Sequence, residues 1–355
     1  MRKMQRVQQL IFIAGVISWL VSTSAALAAD IWYEDNNLGK PGGMPADFVS
    51  KFNSPESFRQ ATDAIDVYLM RANVLNKLDD NFVGKVFSSY LVKNHIKLAV
   101  NDGGATWMQR PGRKKVSKNN IDLYNRLKRL GITVDYVSLQ SVLSKIPKED
   151  GVKVDYPLAK RVEDIVIYAR AITEIYPKAE IGIIDALPSH GKEYRQPYRD
   201  LRDALSRAGL KLSFIHLDMP FEIPREQQRG ITWQTVRDVE RYVEDELGLV
   251  FGYFTTSRKG GDTSSKAYHR SVIADLDCYA GSGGTPDDYI IASWFPYPEK
   301  TIPEFATGDE YPTMRTVVEF GRKLEQIEQG GSTWNVQRAK EQGWRVQCGI
   351  SNSKN

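Results

Sequence analysis

Cysteine and histidine, two residue types common in metal sites and as catalytic groups, are scarce in this sequence. Its 355 residues contain two cysteines and four histidines, and the histidines are widely separated: His95, His190, His216 and His269. The paired Cys and His metal motifs, the phosphate-binding loop and the nucleophile elbow are all absent from the sequence. We therefore expect no metal site and no cofactor.

Long apolar runs are also absent, apart from one close to the N-terminus. Arg2, Lys3 and Arg6 precede an apolar run of about 12 residues at 10–21, and the small residues of 26–28 (ALA) follow it. This order is typical of an export signal that is cleaved after Ala28. An uncleaved membrane anchor is the alternative, but crossing a bilayer takes roughly 20 apolar residues. We predict a signal peptide at 1–28 and a secreted or periplasmic protein that is not held in the membrane after cleavage.

The sequence has no strong excess of charge of either sign. The net charge is +4, and loss of the three basic leader residues lowers it to about +1. The densest basic run, at 110–118, is interrupted by Pro111 and Gly112 and is typical of a solvated loop. A nucleic-acid partner would favour a concentrated basic patch, so we expect none. The composition does not indicate an oligomeric state.

Short apolar runs alternate with helical patterns along the rest of the chain. Several helical patterns end at a glycine that directly precedes the next apolar run, as at Gly131, Gly209 and Gly248. This alternation is typical of β-α units with buried parallel strands. Seven strands are predicted, at 65–70, 96–100, 132–137, 181–184, 212–217, 249–254 and 289–294, and an eighth could lie at 31–33 or 345–348.

The number and spacing of these units favour a single (β/α)8 (TIM) barrel. Such a barrel needs about 250 residues, which residues 60–325 supply. The alternative, an open doubly wound sheet, usually has a glycine-rich loop after its first strand, but residues 71–74 (RANV) contain no glycine. We predict a barrel domain at 29–330 and a peripheral tail at 331–355.

Carboxylates and aromatic side chains follow the predicted strands, where the active site of a barrel lies. Asp102, Asp185 and Asp218 are the candidate catalytic residues, although an Asp at a strand end can instead cap the following helix. Five other residues are candidates for contact with substrate: Trp107, Tyr253, Trp294, His216 and Glu222. For His216 the alternative is a core histidine, and for Trp294 a core aromatic.

This set of residues matches the requirements of glycoside hydrolysis. The reaction needs a protonated carboxylic acid on one side of the glycosidic bond and a carboxylate on the other. We assign Asp185 as the general acid, Asp218 as the base or a substrate-fixing group, and Asp102 as a third carboxylate. Trp107, Trp294 and Tyr253 would stack on sugar rings. The expected substrate is a polysaccharide or oligosaccharide.

Several segments resemble secreted bacterial barrel proteins that are related to the clan A glycoside hydrolases. The resemblance covers about residues 31–320 and rests on IWY at 31–33, IDVY at 65–68, IGIID at 181–185, FIHLD at 214–218 and PDDYIIASW at 286–294. It implies a barrel that acts on glycans.

The sequence departs from the clan A pattern at the catalytic positions. Clan A retaining enzymes typically carry Asn-Glu after the fourth strand and Glu after the seventh, where this sequence has Ile184-Asp185 and Trp294. We therefore expect either an Asp-based mechanism, for which inverting and retaining outcomes are both open, or a barrel that has lost catalysis and only binds glycans.

The two cysteines, Cys278 and Cys348, remain in the exported chain. In an oxidising compartment such a pair often forms a disulfide, and two free buried thiols are the alternative. We predict a disulfide that ties the C-terminal tail to the barrel and stabilises it by roughly 2–4 kcal/mol.

Overall fold

The computed structural model describes residues 28–109, 116, 118–143, 148–149, 152–153, 156–187, 193–219, 230–339 and 348. The predicted leader up to residue 27 and the candidate Glu222 lie outside the described residues. In the part of the chain that is described, no helix is long and apolar enough to cross a membrane.

Eight parallel strands form a closed barrel, which confirms the predicted fold class. A short antiparallel hairpin interrupts the chain order between the fourth and fifth barrel strands. In chain order the strands are β1 (Asp30–Tyr33), β2 (Val67–Arg71), β3 (Lys97–Asp102), β4 (Tyr136–Gln140), the hairpin strands β5 (Lys148–Glu149) and β6 (Val152–Lys153), then β7 (Glu180–Ala186), β8 (Leu212–Asp218), β9 (Val250–Thr255) and β10 (Asp288–Ile291).

The strand β1 closes the barrel. It pairs with β10 through four residues, including Trp32 opposite Ile290, and with β2 through Trp32 opposite Val67. The sequence predicts this strand only as one of two candidates for the eighth, but it is the first in the chain. Each of the seven other predicted strands is therefore one place later in the barrel order than the sequence indicates.

Helices surround the barrel. They are α1 (Arg59–Asp63), α2 (Ala72–Leu75), α3 (Ser88–Lys93), α4 (Gly104–Met108), α5 (Lys118–Arg129), α6 (Leu158–Ile175), α7 (Arg195–Arg207), α8 (Trp233–Arg241), α9 (Arg258–Thr263), α10 (Ser265–Gly281) and α11 (Thr313–Ala339). The predicted glycine stops have φ angles of +71° at Gly131, +74° at Gly209 and +66° at Gly248, a region that favours glycine. The helix α11 continues across residue 330, where the predicted tail begins.

The strand β4 begins four residues later than the sequence predicted. The chain before it is fixed by Asp135, whose carboxylate accepts a hydrogen bond from the backbone N–H of Leu98 at 2.9 Å. The strand itself contains Ser138 and Gln140, which have the same parity as the inward-facing Tyr136. Because the inner face of this strand carries polar residues, the strand does not form a continuous apolar run in the sequence.

The barrel interior and the layer between barrel and helices are two separate cores. Alternate residues of each strand fill the interior, because side chains point to opposite faces of a strand. The interior contains Trp32, Val67, Leu69, Ala99, Ile184, Phe214, Phe254, Ile290 and Ala292. The indole of Trp32 lies 5.5 Å from the ring of Phe214 and 4.6 Å from that of His216, measured between ring centroids.

A disulfide joins Cys278 on α10 to Cys348, with their Cα atoms 5.4 Å apart. The indole N–H of Trp233 on α8 donates to the carbonyl of Cys348 at 3.1 Å. Residue 348 is therefore fixed to two helices of the shell.

Gly182 on β7 offers a test of interior packing. A Cβ atom at this position would lie 2.2 Å from the ring of Phe214, so Gly182→Ala forces the interior aromatic residues apart. We expect a loss of about 1–3 kcal/mol in the free energy of unfolding, measured by chemical denaturation. Gly103→Ala is the matched control, because no atom lies within 4 Å of its added Cβ. An equal loss in both variants would contradict this account of the interior.

Candidate active site

A ring of polar side chains lies at the C-terminal mouth of the barrel. Each lies two positions after an interior apolar residue, or four positions after Phe214 in the case of Asp218, so it faces the interior as well. The ring comprises Glu34, Arg71, Asn101, Asp218, Thr256 and Trp294. Buried polar atoms of this ring have no hydrogen-bond partner among the described residues, namely Arg71 Nη1, Asn101 Oδ1, Asp218 Oδ1 and Thr256 Oγ1. Such atoms at the mouth of a barrel are available to a ligand or to water.

Glu34 is a buried carboxyl at the centre of this ring. Burial raises its pKa to about 7, although the nearby Arg71 guanidinium acts in the opposite direction. Arg71 Nε lies 3.4 Å from Glu34 Oε1, and the Asn101 amide donates to Oε2 at 3.5 Å. The side chain of Trp294 also forms a hydrogen bond with this carboxyl. Glu34 therefore has three neighbours that stabilise its ionised form.

Asp218 is the second carboxyl of the mouth. Desolvation, together with the charges of Asp185 and Glu34, raises its pKa to about 7. The residue is partly exposed, and its Oδ1 atom has no partner within the described part of the chain. In contrast to Glu34, it forms no ion pair with any described residue.

The two carboxyls lie in different environments. Arg71 favours the ionised form of Glu34 against the effect of burial, whereas every influence on Asp218 favours its protonated form. Both pKa values lie at about 7, so each carboxyl can hold or release a proton near neutral pH.

Asp185 is fully buried and points away from the mouth. It has the same parity on β7 as Ile183, which packs in the core between barrel and helices. The Tyr198 hydroxyl on α7 forms a hydrogen bond with it. Its charge nevertheless reaches Asp218 on the neighbouring strand and raises the pKa of that carboxyl. The structure thus places Asp185 behind the site, where it influences Asp218 from the outside of the barrel.

Asp102 also faces the helices. Its carboxylate accepts hydrogen bonds from the backbone N–H of Gly104 at 2.7 Å, the Tyr124 hydroxyl at 2.8 Å, the Tyr168 hydroxyl at 2.7 Å and the Asn120 amide. Burial raises its pKa, and these hydrogen bonds act in the opposite direction. Because it connects β3 to α4, α5 and α6, Asp102 is placed to hold the loops of the mouth.

The candidate substrate-binding aromatics fall in different places. Trp107 on α4 lines a cleft at the mouth, and Trp294 contacts Glu34 there. Tyr253 is buried against the rings of Trp233 and Tyr279 in the core between barrel and helices. His216 is buried in the barrel interior below Asp218. The structure therefore brings Trp107 and Trp294 to the mouth and keeps Tyr253 and His216 away from it.

The His216 side chain is engaged inside the barrel. Its Nε2 atom lies 2.9 Å from Asp288 Oδ2, and its ring contacts Trp32 and Phe214. The backbone of Gly252 approaches closely, since a Cβ at that position would lie 2.5 Å from the imidazole. This arrangement matches the alternative of a core histidine.

A cleft of about 680 Å³ opens beside the polar ring. Arg71, Asn101, Gln140 and Trp107 are among the residues that line it. Because Arg71 and Asn101 also contact Glu34, the cleft adjoins Glu34. No group of three or more described His, Cys, Asp or Glu residues is arranged to hold a metal ion.

Sequence reasoning missed Glu34 and Arg71. The available signal is the spacing along each strand. Glu34 lies two residues after the interior Trp32, and Arg71 lies two residues after the interior Leu69, so both side chains point to the inner face. The strand that leads to Glu34 has only four residues, which is too short for its apolar pattern to indicate a strand by itself.

Comparisons with known proteins support the fold. The sequence matches no protein-family model and no curated protein. Among solved structures, fungal β-1,4-galactanases match with a TM-score of 0.50 and 12% identity, over 82% of this chain and 99% of theirs. Xylanase 10B from Thermotoga maritima matches with a TM-score of 0.48 and 14% identity, over 84% and 97% of the two chains. D-psicose 3-epimerase from Clostridium cellulolyticum H10 matches with a TM-score of 0.44 and 11% identity, over 84% and 98%. At these identities the likeness shows a TIM-barrel fold shared with glycoside hydrolases, and nothing finer.

The corrected strand order changes the comparison with the clan A pattern. With β1 as the first strand, the fourth barrel strand ends at Gln140 and the seventh at Thr255. Neither position carries a carboxyl group. The carboxyls of this mouth follow the first and sixth barrel strands instead.

The raised pKa of Asp218 has a consequence for stability. Its folded-state pKa of about 7 exceeds the ordinary value of 3.8, so the folded state loses stability as the pH rises from about 4 through 7. Asp218→Asn removes this loss because an amide does not ionise. We expect the variant to be more stable than the wild type by about 1–2 kcal/mol at pH 8, an amount reduced for partial exposure, and equal to it at pH 4.

Urea denaturation at both pH values measures this difference. Asp63→Asn, at an exposed carboxyl on α1, is the control and should shift stability by less than about 0.5 kcal/mol. If the wild-type protein is as stable as Asp218→Asn at pH 8, the pKa of Asp218 is not raised by its environment.

Proposed function

We propose that this protein is a secreted glycoside hydrolase that cleaves a polysaccharide or oligosaccharide with Asp218 as general acid and Glu34 as general base. The observation that carries the proposal is the pair of interior-facing carboxyls at the barrel mouth, each with a pKa of about 7. An acid that is still protonated and a base that is ionised near neutral pH are what glycoside hydrolysis requires.

The proposed reaction moves one proton at each carboxyl. Asp218 gives its proton to the glycosidic oxygen as the bond from that oxygen to the anomeric carbon breaks. A water molecule adds to the anomeric carbon and loses a proton to Glu34. The products are two sugar hydroxyl groups, and exchange with solvent returns the proton from Glu34 to Asp218.

Neighbouring residues have supporting roles in this scheme. Arg71 favours the ionised form of Glu34, and Asp185 favours the protonated form of Asp218 through its charge. Asp185 is therefore a positioning residue rather than the acid itself. Trp107 and Trp294 are placed for stacking on sugar rings at the mouth.

A second candidate function is a barrel that binds carbohydrate without cleaving it. The observation that favours it is the presence of Gln140 and Thr255 at the ends of the fourth and seventh barrel strands, where the clan A resemblance leads one to expect glutamates. In this case the polar ring would recognise sugar hydroxyls, and the elevated pKa values would have no catalytic role.

Activity measurements distinguish the two functions. Reducing-sugar release from a panel of glycans identifies a substrate for the wild type, and binding to the same panel is measured in parallel. We expect Asp218→Asn to lower turnover by about 10²–10⁴-fold, the usual contribution of a general acid, with little change in affinity. Asp63→Asn serves as the control. A wild type that binds a glycan and never cleaves it would support the binding barrel.

The role of Asp185 has its own signature in the pH profile. Its negative charge raises the pKa of Asp218, so Asp185→Asn should lower that pKa. Because the acid must be protonated to act, the alkaline limb of kcat should move to lower pH while the activity at acidic pH is largely kept. A pH–rate profile of both proteins measures this shift. A uniform loss of activity at every pH would instead indicate a purely structural role for Asp185.

A further inference from the structure

The cleft beside the carboxyl pair carries a charge pattern that the proposed hydrolysis does not require. We propose that this cleft binds an acidic sugar, a residue that carries a carboxylate or a sulfate, so that the substrate is an anionic glycan. This inference rests on the proposed function, since it identifies the substrate class of the same site.

The described residues that line the cleft include cations and amides but no Asp or Glu. The cations are Arg71, Lys77 and Lys118, and the amides are Asn73, Asn76, Asn101, Asn119, Asn120 and Gln140. Amide groups and a Trp ring suffice for a neutral sugar. Three cations around one cleft favour a ligand with negative charge.

Arg71 is the cation of this cleft that the surrounding protein holds in a fixed position. Its side chain is nearly buried, with 9% of the residue exposed. Nη2 donates to the carbonyl of Gly43 at 3.1 Å, and Nε lies 3.4 Å from Glu34. These contacts fix the guanidinium plane, while Nη1 has no partner among the described residues. A fixed guanidinium with a free N–H group is suited to a carboxylate or sulfate oxygen.

Asn101 and Lys77 line the cleft together with Arg71. The buried Asn101 Oδ1 atom has no partner in the described part of the structure and can accept from a sugar hydroxyl. Lys77 Nζ donates to the carbonyl of Gly42 at 2.8 Å, which holds the ammonium at the cleft and leaves further N–H donors for a ligand. Lys118 is exposed at the start of α5 and adds positive charge to the lining.

The position of these groups connects recognition with catalysis. Arg71 contacts Glu34 and lines the cleft, so an anionic sugar bound there lies in the subsite next to the proposed scissile bond. Trp107 lines the same cleft and provides a flat apolar face for the sugar ring.

A glycan array with neutral, uronic-acid and sulfated oligosaccharides tests the inference with the full exported protein. We expect the bound glycans to be anionic, and the array separates a carboxylate from a sulfate as the recognised group. Calorimetry with the strongest binder should show affinity that falls as NaCl is raised from 50 to 500 mM. The double variant Lys77→Gln/Lys118→Gln, which leaves the carboxyl pair intact, should weaken binding by about tenfold.

Lys93→Gln is the matched control, because Lys93 is an exposed lysine at the end of α3, next to the opposite, N-terminal end of the strands. It should bind as the wild type does. Binding of neutral glycans only, binding of anionic glycans that the double variant does not weaken, or no binding at all would overturn the inference. Thermal melts of each variant exclude loss of the fold as the cause.

A parallel reducing-sugar assay separates this inference from the proposed hydrolysis. Cleavage of neutral glycans without preference for anionic ones would overturn the acidic-sugar site and leave the hydrolase. Binding of anionic glycans without cleavage would support the site and remove the hydrolase.

Discussion

The pairing of β1 with both β2 and β10 is the constraint on which the barrel and its mouth depend. The four residues Asp30–Tyr33 form β1, which brings the number of barrel strands to eight. Without it, β2 and β10 would each have an unpaired edge. Trp32 from this strand fills the interior between the rings of Tyr136 and Phe214. The same strand leads directly into Glu34, so closure of the barrel and placement of the proposed base have one structural cause.

The segment after β1 is anchored by a buried ion pair. Lys51 Nζ lies 2.6 Å from Asp35 Oδ1 and donates to the Tyr68 hydroxyl at 2.8 Å, and Lys51 is fully buried. Buried ion pairs contribute little net stability, but they resist the loss of either partner and favour one arrangement of the chain. Asp35 is adjacent to Glu34, so this pair limits the positions that the Glu34 backbone can take.

How well the site can be predicted from the sequence depends on which face of its strand each residue occupies. Apolar runs, glycine stops and unit spacing were sufficient to predict the barrel, because burial of parallel strands leaves a strong apolar signal. They placed Asp102, Asp185 and Asp218 at the ends of strands, and all three do lie there. Which face each one occupies depends on the strand register, and a shift of one residue reverses it. Asp218 therefore faces the mouth, whereas Asp102 and Asp185 face the helices.

The position of β1 in the chain also bears on the order of folding. Its partner β10 lies more than 250 residues further along the sequence, so their contacts are among the most distant in the chain. Pairing of such distant segments carries a high entropic cost and tends to be late. The strand that carries Glu34 to the mouth then gains its second neighbour only after the other barrel strands exist. Catalytic competence would accordingly report on the completion of the barrel, and partly closed folding intermediates would lack the proposed base.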